Sequence, residues 1–363
     1  MNPDISVIMG VYNGEEYISE TIESLINQTF KNWELVVIND CSTDSTGEIL
    51  EKYAAADNRI RVYLNEVNLR LPSSLNKAIS LCGGKYIARM DADDICLPDR
   101  FEKQFLFMEA NPEVSLSSCR FMTVKNGVYS SGGCGGRCDS EAVKALLLVT
   151  NPIMHPGVIA RAEVMRELLY DPSCTCTEDL DLWTRVVKGN YKIEIIPEYL
   201  LIYRLHDKQI TATTLEKQHR EVVAIQKRYL GELIGEMKAH MEEFYISGIY
   251  FKEKTDINEF LRFFEWAKAA NKNKKNFHKN ALQYAFFEIL AEYKRCGVSK
   301  FDILKGIVNF NALFLVKEVF RRKKVAKRDG RRCIIAAEKM GLQKVGGTLE
   351  FPVFKQKDIQ GLR

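Results

Sequence analysis

The chain has 363 residues, 46% hydrophobic and 10% aromatic, with a formal net charge of +4. This is ordinary globular composition, long enough for two units. No uncharged apolar stretch of about 18 residues occurs, which excludes a membrane-spanning helix. The charge is divided, residues 1–210 balancing at −9 and residues 211–363 at +13, as expected of a site-bearing front followed by a basic, surface-docking back.

Polar Met1-Asn2-Pro3-Asp4 leads straight into the run Ile5–Met9, so no export signal is expected. Ten cysteines without such a signal imply free thiols in a reducing, cytoplasmic compartment. A helical apolar face follows over Glu15–Gln28, then a strand over Glu34–Ile38 that ends at Asn39 and Asp40. Ser42 or Thr43 is placed to cap the next helix. Ile60–Leu64 reads as a third strand, Pro72–Leu81 as a helix and Tyr86–Met90 as a fourth strand. Strand–helix alternation at this spacing means parallel strands with right-handed crossovers, their carboxyl ends sharing one crevice. Three polar ends should converge there: Gly10-Val11-Tyr12-Asn13, Asn39-Asp40-Cys41-Ser42 and Asp91-Ala92-Asp93-Asp94.

A helix starts near Pro98 and runs to about Ala110, followed by a strand over Ser115–Val124. The glycine-rich loop around Cys134 and Cys138 lacks a metal-ligand set of four, and so does the pair Cys174 and Cys176. A helix is expected over Ser140–Val149, a rigid loop over Asn151–Gly157 with His155 beside Pro156, and a short strand over Val158–Ala160. Thr177 is placed to cap a helix opening Glu178-Asp179-Leu180-Asp181-Leu182-Trp183, in which Leu182 and Trp183 read as core. Ile193–Ile196 and Leu200–Tyr203 read as two strands ahead of His206. Beyond residue 214 the sequence becomes lysine-rich and helical. Its segment 301–332 combines an apolar helix with a basic end, which suits an anionic membrane surface or a core-packed helix with a solvated end. No nucleic-acid-reading module occurs.

Three carboxylates in four positions, Asp91, Asp93 and Asp94, close a buried strand. Such a strand end calls for a cation, and hard oxygen ligands suit Mg²⁺ or Mn²⁺ carrying a phosphate-bearing ligand.

The ordered segments Ser6–Asn13, Ser24–Phe30, Asn39–Asp44, Tyr86–Asp94 and Glu178–Trp183 together resemble family 2 glycosyltransferases over roughly residues 4–210. The resemblance implies a GT-A fold, a Rossmann-like mixed α/β sheet flanked by helices, with a helical C-terminal region behind it. Residues 1–110 would bind the nucleotide sugar, 111–214 the acceptor, and 215–363 would form the basic helical part. It further implies inverting transfer of a hexosyl or N-acetylhexosaminyl group from a UDP-linked donor to a glycan or lipid-linked acceptor. By the same resemblance Val11 and Tyr12 lie at the donor base, Asp40 accepts from it, and Asp91 holds the ribose or assists the metal. Asp93 would bind Mg²⁺ or Mn²⁺, His206 would contact the metal or diphosphate, and Asp179 would be the general base. Arg89 either reaches the pyrophosphate or pairs with a cluster carboxylate. Where relatives often carry glycine, this chain has the bulkier Asn68-Leu69-Arg70-Leu71-Pro72, leaving open how the donor is covered. Two other classes share such sheets. A nucleotidyltransferase would need a glycine-rich basic loop where Gly10–Glu16 is acidic, and a non-catalytic subunit would have no need of intact Asp93 and Asp179.

Overall fold

The computed structural model describes residues 2–132, 139–206, 209, 215–246, 256–295, 297–300, 302–303, 343–345 and 348–350. Strand and helix alternate through the front half: β1 (Ile5–Val11), α1 (Ile18–Ile26), β2 (Trp33–Asn39), α2 (Thr46–Ala56), β3 (Ile60–Leu64), α3 (Arg70–Leu81) and β4 (Tyr86–Arg89). Then come β5 (Ile95–Cys96), α4 (Arg100–Ala110), β6 (Val114–Lys125), β7 (Val128–Gly132), α5 (Ser140–Leu146), a 3-10 turn (His155–Gly157), β8 (Ile159–Arg161), α6 (Ala162–Leu168), α7 (Glu178–Lys188) and β9 (Lys192–Arg204). The rear is helical: α8 (Leu215–Leu233), α9 (Ala239–Phe244), α10 (Ile257–Lys274) and α11 (Lys279–Arg295). Two short strands, β10 (Gln343–Val345) and β11 (Thr348–Glu350), extend the sheet edge.

The main path of the sheet runs β10-β11-β7-β6-β8-β4-β1-β2-β3, with β9 paired to β6 and β5. Strands β4, β1, β2 and β3 are parallel, whereas β8 is antiparallel to β4. The sheet is therefore mixed, as expected. Strands β1 and β2 are buried along nearly their whole length, the signature of parallel strands covered on both faces. Helix α1 turns Ile18, Ile22 and Leu25 inward, each such side chain contributing about 1.5–3 kcal/mol. Glycine is required at Gly84, where a Cβ would lie 2.7 Å from the Ser6 backbone nitrogen and hold β4 off β1.

Three local expectations need correction. Neither Ser42 nor Thr43 caps α2; Asp44 Oδ1 accepts from the Thr46 backbone N–H at 3.0 Å, while Ser42 and Thr43 bond to Asn13 instead. Thr177 precedes α7 without capping it, because its hydroxyl donates to Glu221 Oε2 on α8 at 2.9 Å. The two expected strands at 193–203 are one 13-residue strand. Its ladder to β6 shifts register between Cys119 and Arg120, whose partners Ile196 and Tyr199 flank Pro197, so an irregularity absorbs the proline.

One apolar core runs from Ile8 and Val36 through Leu182 and Trp183 to Tyr229, Phe260 and Tyr284 on the C-terminal helices. Leu182 and Trp183 are fully buried, as their spacing implied. Of segment 301–332 only Asp302 and Ile303 fall inside the described residues, and the loop carrying Cys134 and Cys138 lies outside them. Cys174 and Cys176 are free thiols.

Candidate active site

The cluster at the end of β4 is held from three sides. Arg100, fully buried, donates from Nη2 to the Arg89 carbonyl at 2.9 Å and from Nε to Gln104. From α1, Thr21 Oγ1 lies 2.9 Å from the Ala92 carbonyl and 2.8 Å from that of Asp94. From the end of β9, Arg204 donates its backbone N–H to Asp94 Oδ1 at 3.0 Å and its Nε to the Asp93 carbonyl at 2.9 Å. The Arg204 guanidinium also sits 4.6 Å above the Tyr17 ring and pairs with Glu20. Residue patterning passed over Arg204; a cation two positions before His206, at a strand end, was the available signal.

Carboxylate oxygens of Asp91, Asp93 and Asp94 lie within 4.8 Å of one another. His206 Nε2 is 2.9 Å from Asp93 Oδ2, so the structure brings together the two residues expected at a metal. Arg89 is buried and forms an ion pair with Asp91, the second of its two open readings. Burial and the neighbouring charge of Asp93 raise the Asp91 proton affinity against the pull of Arg89. Asp94 is pushed well above the carboxylate range by complete burial and by the charges of Asp91 and Asp93.

The residues present fit a hard divalent cation. Asp94 Oδ2 is buried without a hydrogen-bond partner, and the oxygen-rich donor set matches Mg²⁺ or Mn²⁺. Repulsion among three close carboxylates is what a cation would relieve.

At the carboxyl end of β1, Tyr12 is 53% exposed and Val11 is buried. Asp40, also buried, has Oδ1 taken by Asn65 Nδ2 at 2.7 Å and by the Leu69 backbone N–H at 2.9 Å. The bulky loop thus folds onto Asp40, and it does so with Arg70 at φ +66°, a left-handed conformation that favours glycine.

Asp179 stands in the first turn of α7. Its Oδ1 accepts from the Leu180 backbone N–H at 2.6 Å and its Oδ2 from Asn151 Nδ2 at 2.7 Å. Burial raises its proton affinity, against those two hydrogen bonds and the charge of Arg89. Burial, then the adjacent Asp179 charge, pushes Glu178 up to about 8. His155, behind Glu178, is held neutral by burial and by the charge of Arg89, well below its usual range. Its Nε2 meets Tyr170 Oη at 2.8 Å. A cleft of about 520 Å³ is lined by Arg89, Asp91, Asp93, Asn151, Glu178 and Asp179 among other residues.

The mixed sheet, with the acidic end of β4 and the carboxylate of Asp179 lining one cleft, has the GT-A fold. S. aureus TarS 1–349 in complex with UDP-GlcNAc superposes with a TM-score of 0.55 at 17% identity, over 98% of each chain. A mannosyltransferase from Pyrobaculum calidifontis in complex with GDP-Man and Mn²⁺ gives 0.52 at 16% identity, over 89% of this chain and 87% of that one. Both show the fold. The family described as glycosyl transferase family 2 matches residues 6–160. An uncharacterized glycosyltransferase of Methanocaldococcus jannaschii is 35% identical over 219 residues, 60% of this chain and 76% of the relative. The O-antigen biosynthesis glycosyltransferase WbnJ of Escherichia coli is 31% identical, over 58% of this chain and 83% of that protein. The chain belongs to glycosyltransferase family 2 and is an enzyme of that class. Among the described residues no helix is long and apolar enough to cross a membrane.

Proposed function

We propose that the protein transfers a sugar, with inversion, from a UDP-linked donor to a hydroxyl of a glycan or lipid-linked acceptor in polysaccharide assembly. The observation that carries this reading is the shared cleft, lined both by Asp91 and Asp93 and by Glu178 and Asp179. TarS structures with UDP-GlcNAc and the O-antigen role in the name of WbnJ support the donor and the pathway class.

In this reading Tyr12 stacks on the base, beside Val11, and Asp40 lies at the base edge. Asp91, Asp93 and His206 would hold Mg²⁺ or Mn²⁺. Such an ion supplies positive charge beside the diphosphate as it leaves. Arg89 pairs with Asp91 and balances its charge within the cleft. Asp179 accepts the proton of the acceptor hydroxyl as its oxygen attacks the anomeric carbon from the face opposite the diphosphate. Glu178, its proton affinity raised by burial to about 8, retains a proton near neutrality.

Asp179→Asn should leave UDP affinity intact and remove turnover, measured by calorimetry and by UDP release. Near-normal turnover would rule out the base assignment. Asp93→Ala should abolish the Mn²⁺ dependence of UDP binding; an unchanged calorimetric isotherm with Mn²⁺ counts against the metal assignment. Residues 301–332 would dock the enzyme on an anionic membrane surface. Sedimentation with phosphatidylglycerol vesicles should weaken at least several-fold when that segment is deleted, and equal sedimentation refutes docking.

A further inference from the structure

We propose that Asn151 is a positioning residue for proton transfer, its side-chain amide holding the Asp179 carboxylate in one orientation within the cleft. The proposal rests on the reading of Asp179 as the base. Each carboxylate oxygen of Asp179 has one donor, Leu180 N–H on Oδ1 and Asn151 Nδ2 on Oδ2, so rotation about the last side-chain bond is blocked from both ends. The first donor is built into the helix start. The second is supplied across 28 residues by a different segment.

Asn151 is itself held. Its Oδ1 accepts from the Ile153 backbone N–H at 3.2 Å, and Pro152 restricts the residue before it to extended backbone. An amide suits the task because it donates a hydrogen bond without ever ionising, so its contact favours the anionic, proton-accepting form of Asp179. A base misplaced by about 1 Å loses much of its effect.

The charged groups around Asp179 act differently. Glu178 lies next to it on α7, with His155 of the 3-10 turn 3.7 Å from Glu178 Oε1. Arg89 of β4 acts on Asp179 through its charge, and Tyr170, beyond α6, feels the Asp179 charge. On α8, Lys217 donates to Thr175 at 2.5 Å, and Glu221 accepts from Thr177.

The test is the pH dependence of UDP release by the full chain, using the UDP sugar it hydrolyses fastest with Mn²⁺. Wild type is compared with Asn151→Ala, Asn151→Asp and Asp179→Asn. Asn151→Ala should lower kcat on the order of 10–100-fold. Without the amide the proton affinity of Asp179 rises, so the acid limb should move up by about one pH unit. Calorimetric affinity for UDP with Mn²⁺ should stay unchanged in both Asn151 variants, which confirms that they fold. Asn151→Asp keeps the acceptor for Ile153 but loses the donor and sets a second carboxylate against Asp179, so its limb should move further up. Limbs of both variants superposing on wild type, with Asp179→Asn inactive, would overturn the positioning role alone. An active Asp179→Asn would remove the base assignment on which it rests.

Discussion

Glu178 and Asp179 are adjacent in sequence, and burial raises the proton affinity of both. A buried carboxyl pushed from 4.5 up to about 8 gives stability that is full below pH 4.5 and lost as pH rises through 8. Glu178→Gln removes that ionisation. Its thermal midpoint relative to wild type should therefore improve between pH 6 and pH 9, and scanning calorimetry at both values checks the direction. The acidic motif around Asp179 was legible because three acids at a helix start form a local pattern. Asn151 was legible only as part of a rigid loop, since a hydrogen bond spanning 28 residues leaves no periodicity to read. Likewise, the commitment of Arg89 to Asp91 depends on how deeply the β4 end is buried.

Among the elements, α8 does more than cover the sheet. Glu221 Oε2 accepts from the Cys176 backbone N–H at 3.2 Å and from Thr177 Oγ1 at 2.9 Å, at the entry to α7. Seven residues on, Arg228 pairs with Asp181 at 2.5 Å, sharing that buried carboxylate with Arg185. The helix thus grips the start of α7 at two points. Glu221→Ala should cost about 1–3 kcal/mol by urea denaturation, the range for stranding part-buried donors. A loss below measurement error would mean that water replaces Glu221 without penalty. The strands and helices of the front half were legible because alternation and amphipathic spacing are local signals. The join of 193–196 to 200–203 was not, because Pro197 ends a strand in sequence terms and only the facing β6 ladder shows how it is absorbed.

For the molecule as a whole, the compositional change near residue 214 is not matched by a break in the apolar core. Ile225, Tyr229, Phe260, Phe263 and Tyr284 share one cluster with Trp183 and Leu146. Cutting the chain after residue 214 should therefore give a broad, non-cooperative thermal transition with dye binding to exposed apolar surface. A sharp transition at the wild-type midpoint would show that the front folds alone. The clasp of Arg204 and His206 on the β4 turn also sets an order of events. The contacts to Asp94 and Asp93 span 110 and 113 residues, so their loop closure comes late compared with the neighbouring strand–helix units. On the ribosome, the acidic turn is made early and waits, uncompleted, until the chain has emerged past residue 206. A nascent chain stalled before β9 would hold the parallel strands β1 to β4 and lack the clasp on the acidic turn.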